Sequence, residues 1–341
     1  MSIKLKICFF LSIIFILTYK TNQQDAFALL QLHSEQIIIV SYSSIYLQEK
    51  DLNISATIKI NIDSSVELKT LYDHREISLA QYPDDQSGYI LCRIKQIIYL
   101  ISPDFSFSCF DTGLPTSSSN TIIVPYKKNG NSFIYFICYI DSTEIQTTPI
   151  HIEKYIFNKD SCTNILENNL SIMPKNSFGK SLVPQGICLD CNLMYNDILT
   201  CFFTVVNIYE TGYISFDIKN NLTILQEFSG TSGIKNVQAN WLRTIQSEDK
   251  TKILCCFTTN YNDIYCSIYN IIKNKWSNEI KILTKVNLGA ESFYLKYFYE
   301  TNEYLIYSSA GDNNKVDVVK LDKNFNIIST NSSYKYCYTK M

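Results

Sequence analysis

The sequence predicts an all-β protein made of a four-stranded unit repeated about six times. Three observations lead there. Helical periodicity is poor along the chain, so amphipathic helices do not organise it. Apolar and polar residues alternate instead: Ile214, Phe216 and Ile218 interleave with Tyr213, Ser215 and Asp217, and Ile264, Cys266 and Ile268 with Tyr265, Ser267 and Tyr269. Period-two patterning in Ile- and Tyr-rich runs marks strands with one buried face. Third, an apolar run recurs, opening at Ile37, Tyr89, Ile134, Ile198, Ile253 and Tyr304.

Successive runs start 45 to 64 residues apart. The last three units match best. Asp197-ILTCFF leads into Gly212-YISFDIKNNLTIL, Lys252-ILCCFTTN into Asp263-IYCSIYNIIKNKW and Asn278-EIKIL, and Asn302-EYLIYSSAG into Asn314-KVDVVKLDKNFNII. Each reads as a strand, a polar turn, a longer strand, an Asn- or Lys-rich turn and a short last strand. A further strand precedes the last two runs, over 237–245 and 293–300. The second and third units fit least well, with 117–120 and 158–186 reading as loops or insertions.

Four antiparallel strands per repeat of this length resemble the blades of β-propellers. The resemblance covers most of the chain and stays at the level of fold. No Trp-Asp dipeptide ends the units as in WD40 repeats, and no Gly-Gly pair marks them as in kelch repeats. Ser102-Pro103-Asp104 resembles the start of a sialidase Asp-box, without the Gly and Trp that complete one. A six-bladed propeller is therefore expected over 29–341, with tandem β-sandwiches as the rival architecture. Ring closure is expected from Ser333 to Tyr338, supplying a strand to the first unit, since an open edge invites aggregation.

Residues 1–28 read as a secretory signal peptide: Lys4 and Lys6 precede the uncharged run Ile7 to Leu17. Eleven apolar residues are too few to span a bilayer, which takes about 20. Ala26-Phe27-Ala28 offers one cleavage pattern, and a cut near Thr18 to Thr21 competes with it. A secreted or secretory-lumen location follows, with no transmembrane segment in the mature chain. The Ile, Asn, Lys and Tyr bias resembles that of AT-rich protist genomes.

Export makes disulfides the default for the cysteines. Of twelve, Cys8 lies in the leader. Cys92, Cys138, Cys201 and Cys256 hold similar places in their apolar runs, and three of them have another cysteine downstream, at 109, 162 and 266. Cys256 with Cys266 and Cys92 with Cys109 are the expected pairs. Cys188-Leu189-Asp190-Cys191 is a lone CxxC and reads as structural. Sequons at Asn53, Asn169, Asn221 and Asn331 are glycosylation candidates.

Composition narrows function mostly by exclusion. A net charge of -2 supplies no electrostatic footprint for nucleic acid. No P-loop, GxSxG elbow or HExxH helix occurs, and His33, His74 and His151 lack metal-ligand spacing, so no metal or cofactor is expected. Asp104, Asp111, Asp141, Asp217, Glu227 and Asp263 could converge as the carboxylates of a glycosidase-like enzyme, although turn aspartates more often bond their own backbone. Trp241, Trp276, Tyr297 and Tyr299 read as packing between units. The expected function is a non-catalytic module that binds protein or glycan through loops on one face. Asn260, Tyr261, Asn262 and Asp263, with Asp312 and Asn313, are the loop candidates.

Overall fold

The computed structural model describes residues 28–31, 37–40, 44–48, 54–59, 77–82, 87–94, 96–112, 114, 121–140, 149–176, 178–194, 197–205, 210–230, 239–247, 249–259, 263–283, 293–298, 302–309 and 315–335. Its strands form six antiparallel sheets, and among the described residues no helix is long and apolar enough to cross a membrane.

The first sheet holds β1 (Ala28–Gln31), β2 (Ile37–Val40), β3 (Ser44–Gln48) and β4 (Ile54–Lys59). The second holds β5 (Ile77–Gln81), β6 (Ile90–Ile94), β7 (Ile97–Ile101) and β8 (Ser108–Asp111). The third is β9 (Thr121–Asn129), β10 (Ser132–Ile140), β11 (Ile150–Asn158) and β12 (Thr163–Ile172). The fourth is β13 (Pro184–Met194), β14 (Ile198–Val205), β15 (Glu210–Asp217) and β16 (Thr223–Gly230). The fifth has β17 (Ala239–Gln246), β18 (Lys252–Thr259), β19 (Ile264–Asn270) and a split last strand, β20 (Lys275–Trp276) and β21 (Ile280–Leu283), both paired to β19. The sixth is β22 (Tyr294–Phe298), β23 (Glu303–Ser309), β24 (Lys315–Leu321) and β25 (Ile327–Lys335).

Every sheet is a meander, each strand pairing with the next in sequence. The first-to-second and third-to-fourth turns of a sheet therefore leave at one edge, and the second-to-third connection at the other.

The six apolar runs are the second strands. β6 is buried along its whole length, and β14 and β18 along all but their first residue. A strand covered on both faces reads as a continuous apolar run, not as an alternation. Each fully buried Ile, Leu or Phe there stabilises by roughly 1.5–3 kcal/mol over leaving it in water. Last strands are the opposite case: β12 and β16 are largely exposed. That explains one correction, since 158–186 is not a loop but contains β12. Its Asn168 and Asn169, and its exposed Ile165 and Leu166, disguise the pattern.

The chain divides into two compact units. Residues 26–207 and 212–229 form one, with the first three sheets and most of the fourth; 208–211 and 230–341 belong to the other, with the fifth and sixth. In the former, Ile90, Cys92, Ile94, Tyr99 and Ile101 pack with Ile45 and Leu47 of the first sheet. Leu91, Ile98 and Leu100, on the opposite face of the second sheet, pack with Phe133, Tyr135, Ile137, Tyr155 and Phe157 of the third. In the latter unit, Leu254, Cys256, Ile264 and Cys266 pack against Tyr304, Ile306, Val319 and Leu321.

Of Ser333 to Tyr338, expected to supply a strand to the first sheet, the described part pairs elsewhere. The first sheet has four strands of its own, and Ser333 to Lys335 belong to β25, where Tyr334 pairs with Val316 and Lys335 with Lys315. Residues 336–338, the rest of that segment, lie outside the described residues. The pairing edge of β2 is already taken by β1, from Ala28 opposite Val40 to Gln31 opposite Ile37.

Ser102-Pro103-Asp104 does form a specific turn. Ser102 Oγ donates to Asp104 Oδ1 (2.6 Å), Asp104 accepts from Ser106 N (3.1 Å), and Ser102 Oγ accepts from Phe107 N (2.9 Å). Phe105 takes the left-handed conformation, φ 58°. Ser247, Asp249, Thr251 and Lys252 repeat these bonds at 2.6, 3.0 and 3.0 Å, with Lys250 at φ 55°.

Candidate functional site

One polar group stands out in the unit of residues 26–207, between the second and third sheets. Arg93 lies one residue from the end of β6, and the pleat sends it to the same face as Leu91, toward the third sheet. It is 2% exposed. Tyr139 closes β10 and His151 opens β11, so both sit at the second-to-third-strand edge. Glu153 follows on the same face of β11, as does Tyr155.

Glu153 organises these side chains. Tyr139 Oη donates to its Oε1 at 2.9 Å, and Tyr155 Oη to its Oε2 at 2.8 Å. The His151 ring stacks on Tyr139, with centroids 4.7 Å apart and planes at 14°. Burial and the Glu153 carboxylate push the Tyr155 hydroxyl well above the ordinary phenol range, while the positive charge of Arg93 acts against them. Tyr139, His151 and Glu153 stay half-exposed; Tyr155 is buried. The group thus presents a carboxylate acceptor and stacked rings at this edge, with the Arg93 charge acting on the buried Tyr155.

The other end of the same contact is closed on itself. Lys159 Nζ donates to Tyr89 Oη at 2.7 Å and lies over the Tyr89 and Phe107 rings at 5.0 and 4.6 Å. Phe133 packs on Tyr82 and Tyr89, and Tyr82 Oη donates to the Ile134 carbonyl at 2.8 Å.

The carboxylates singled out from the sequence have local partners. Asp104 is exposed, and hydrogen bonds from Ser102 and Ser106 bring its pKa down to about 2. Asp111 accepts from the Asn164 backbone. Asp217 accepts from Lys219 N in its turn (2.9 Å), Glu227 is exposed on β16, and Asp263 pairs with Lys281 at 2.7 Å. Asp141 lies outside the described residues.

Asp263 is also the described member of the ligand-loop candidates; Asn260, Tyr261, Asn262, Asp312 and Asn313 lie outside. Both loops join second to third strands, β18 to β19 and β23 to β24, the kind of edge that carries His151. Trp276 is 8% exposed and packs on Tyr269 at 5.3 Å, and Tyr297 packs on Tyr304 at 4.6 Å. The Trp241 side chain, Tyr299, His33 and His74 lie outside the described residues.

Cys256 and Cys266 are direct partners across β18 and β19 and are joined, with Cα atoms 4.0 Å apart. Cys92 and Cys109 are not joined. Cys92 packs toward the first sheet and Cys109 toward the third, so the two point to opposite faces of their own sheet. Cys109 instead meets Cys162, from the β11–β12 turn, and Cys138 meets Cys191 and Cys201. Asn169 and Asn221 are exposed; Asn53 and the Asn331 side chain lie outside the described residues.

No sequence-family model matches the chain, and no curated protein does. Solved structures do. A lectin from Burkholderia pseudomallei matches 89% of this chain and 82% of its own, with TM-score 0.57 and 9% identity. The six-bladed, fucose-recognising lectin of Aleuria aurantia gives 0.53 over 92% of this chain and 96% of its own, at 10% identity. The fold is a β-propeller. The Swd1 propeller domain of Myceliophteria thermophila is similar as well, at TM-score 0.51, 8% identity, and 92% and 88% coverage. Lectins and a non-lectin share this propeller architecture, so function has to be argued from the site.

Proposed function

We propose that the protein is a non-catalytic carbohydrate-binding propeller, secreted or held at a cell surface. The observation that carries this reading is the Glu153 group. A sugar hydroxyl both donates and accepts hydrogen bonds, so it suits a carboxylate acceptor beside phenol and imidazole groups. The apolar C–H face of a sugar ring covers the face of an aromatic ring such as Tyr139 or His151. The lectins among the similar structures agree with carbohydrate as the ligand class.

The loops at Asn260 to Asp263 and at Asp312 and Asn313 belong to the same reading, as further contacts at second-to-third-strand edges. Export rests on Lys4, Lys6 and the Ile7 to Leu17 run. β1 starts at Ala28, so cleavage near Thr18 to Thr21 leaves that strand whole, whereas cleavage after Ala28 removes its first residue. N-terminal sequencing of secreted chain should begin between about residues 19 and 29. Asn169 and Asn221 are the glycan acceptors with exposed side chains.

A glycan array probed with the secreted chain tests the function. Binding to a defined sugar class, lost in Glu153→Gln with secretion unchanged, supports it. Hydrolysis of a glycoside, abolished by replacing a carboxylate, would replace it with an enzyme.

A further inference from the structure

We propose that Cys138, Cys191 and Cys201 form a closed three-thiolate site for one soft metal ion. Cys191 and Cys201 face each other across β13 and β14, and Cys138 enters from β10 of the neighbouring sheet. The three sulfurs lie within 4.8 Å of one another. A metal bonded to each sulfur at about 2.3 Å in a plane would set them about 4 Å apart. Bringing the most distant pair together by at most about 0.8 Å therefore suffices.

Number and surroundings both favour a cation. A disulfide consumes two sulfurs and would leave the third thiol buried, whereas one ion engages all three. Cys138 and Cys201 are 0% exposed and Cys191 5%, among the buried Phe136, Leu189, Leu199 and Phe203. In so dry a place a lone thiolate is costly, and the negative charges of Asp190 and Glu153 both act on Cys138 to oppose one. A bound cation reverses both penalties. Binding an ion to the three thiols releases their protons to solvent. Soft thiolates select copper(I) or zinc over hard cations.

The full secreted chain, reduced under anaerobic conditions, is titrated with copper(I) and separately with zinc against a competing chelator. One equivalent should bind, with a thiolate-to-metal charge-transfer band for copper(I). Cys138→Ala and Cys201→Ala should lose the band, and Cys92→Ala, at a buried thiol elsewhere in the same unit, should keep it. Should the first two variants fail to fold, thiol mapping of the wild-type chain decides. Three thiols protected from alkylation by metal and released by chelator support the site. A disulfide between any two of them, three free thiols with no metal uptake, or a band that survives Cys138→Ala would overturn it.

Discussion

The two ends of the contact between the second and third sheets are made from similar residues put to different use. Each has a cation and aromatic rings. At the turn end, Lys159 bonds to Tyr89 and is covered by two rings, so its groups are satisfied within the protein. At the other end, Glu153 holds two tyrosines in place while Tyr139 and His151 stay partly exposed. The comparison teaches that a cation bonded and flanked by the protein's own rings acts as a clamp, whereas a carboxylate that fixes rings at a strand edge is suited to recognition. Preorganisation of that kind lowers the ordering cost of binding.

Substitutions at the closed end should therefore cost stability and spare binding, in a graded series. Phe133→Ala removes a fully buried ring that packs on Tyr82 and Tyr89. Denaturant unfolding should show a loss of about 3–5 kcal/mol, and a loss under 1 kcal/mol would mean the seam is loosely packed. Tyr82→Phe deletes the hydroxyl bonded to the Ile134 carbonyl. By the same measurement it should cost about 1 kcal/mol. Lys159→Met keeps most of the apolar stem but loses the hydrogen bond and ring contact, and should cost about 0.5 kcal/mol.

The smallest effect belongs to Asp104, in the turn that carries Phe107. Its pKa is depressed to about 2, so its bonded carboxylate contributes stability that is complete above the ordinary aspartate range and lost as pH falls through about 2. Asp104→Asn should flatten that acid limb of the Tm profile, lowering Tm slightly at neutral pH and converging on wild type near pH 2. An unchanged acid limb would show that the turn bonds do not distinguish the two protonation states.

Much of the fold was readable because the second strands are buried on both faces and so appear as uninterrupted apolar runs. Last strands were not: β12 is masked by Asn168 and Asn169, and the fifth sheet splits its last strand around Ser277 to Glu279. There Ser277 Oγ accepts from Ile268 N, a side chain standing in the ladder. The candidate site was harder to read, since Arg93 and Tyr155 come from different sheets and nothing in the linear sequence links them. His151, which the sequence marks only by its lack of metal-ligand spacing, gains its place from the ring of Tyr139. The cysteines misled for a related reason. Spacing predicted the direct cross-strand pair Cys256 and Cys266, but a β pleat sends Cys92 and Cys109 to opposite faces, and Cys138 reaches its partners in another sheet.

Binding at the open end is the central claim, and paired substitutions test it most directly. Affinity for the best array glycan is measured by calorimetry for wild type, Glu153→Gln and Lys159→Met. Glu153→Gln should weaken binding at least tenfold, equivalent to about 1.4 kcal/mol, with Tm close to wild type; Lys159→Met should bind as wild type does. Equal affinity in Glu153→Gln and wild type, or a matching loss in Lys159→Met, would contradict the account.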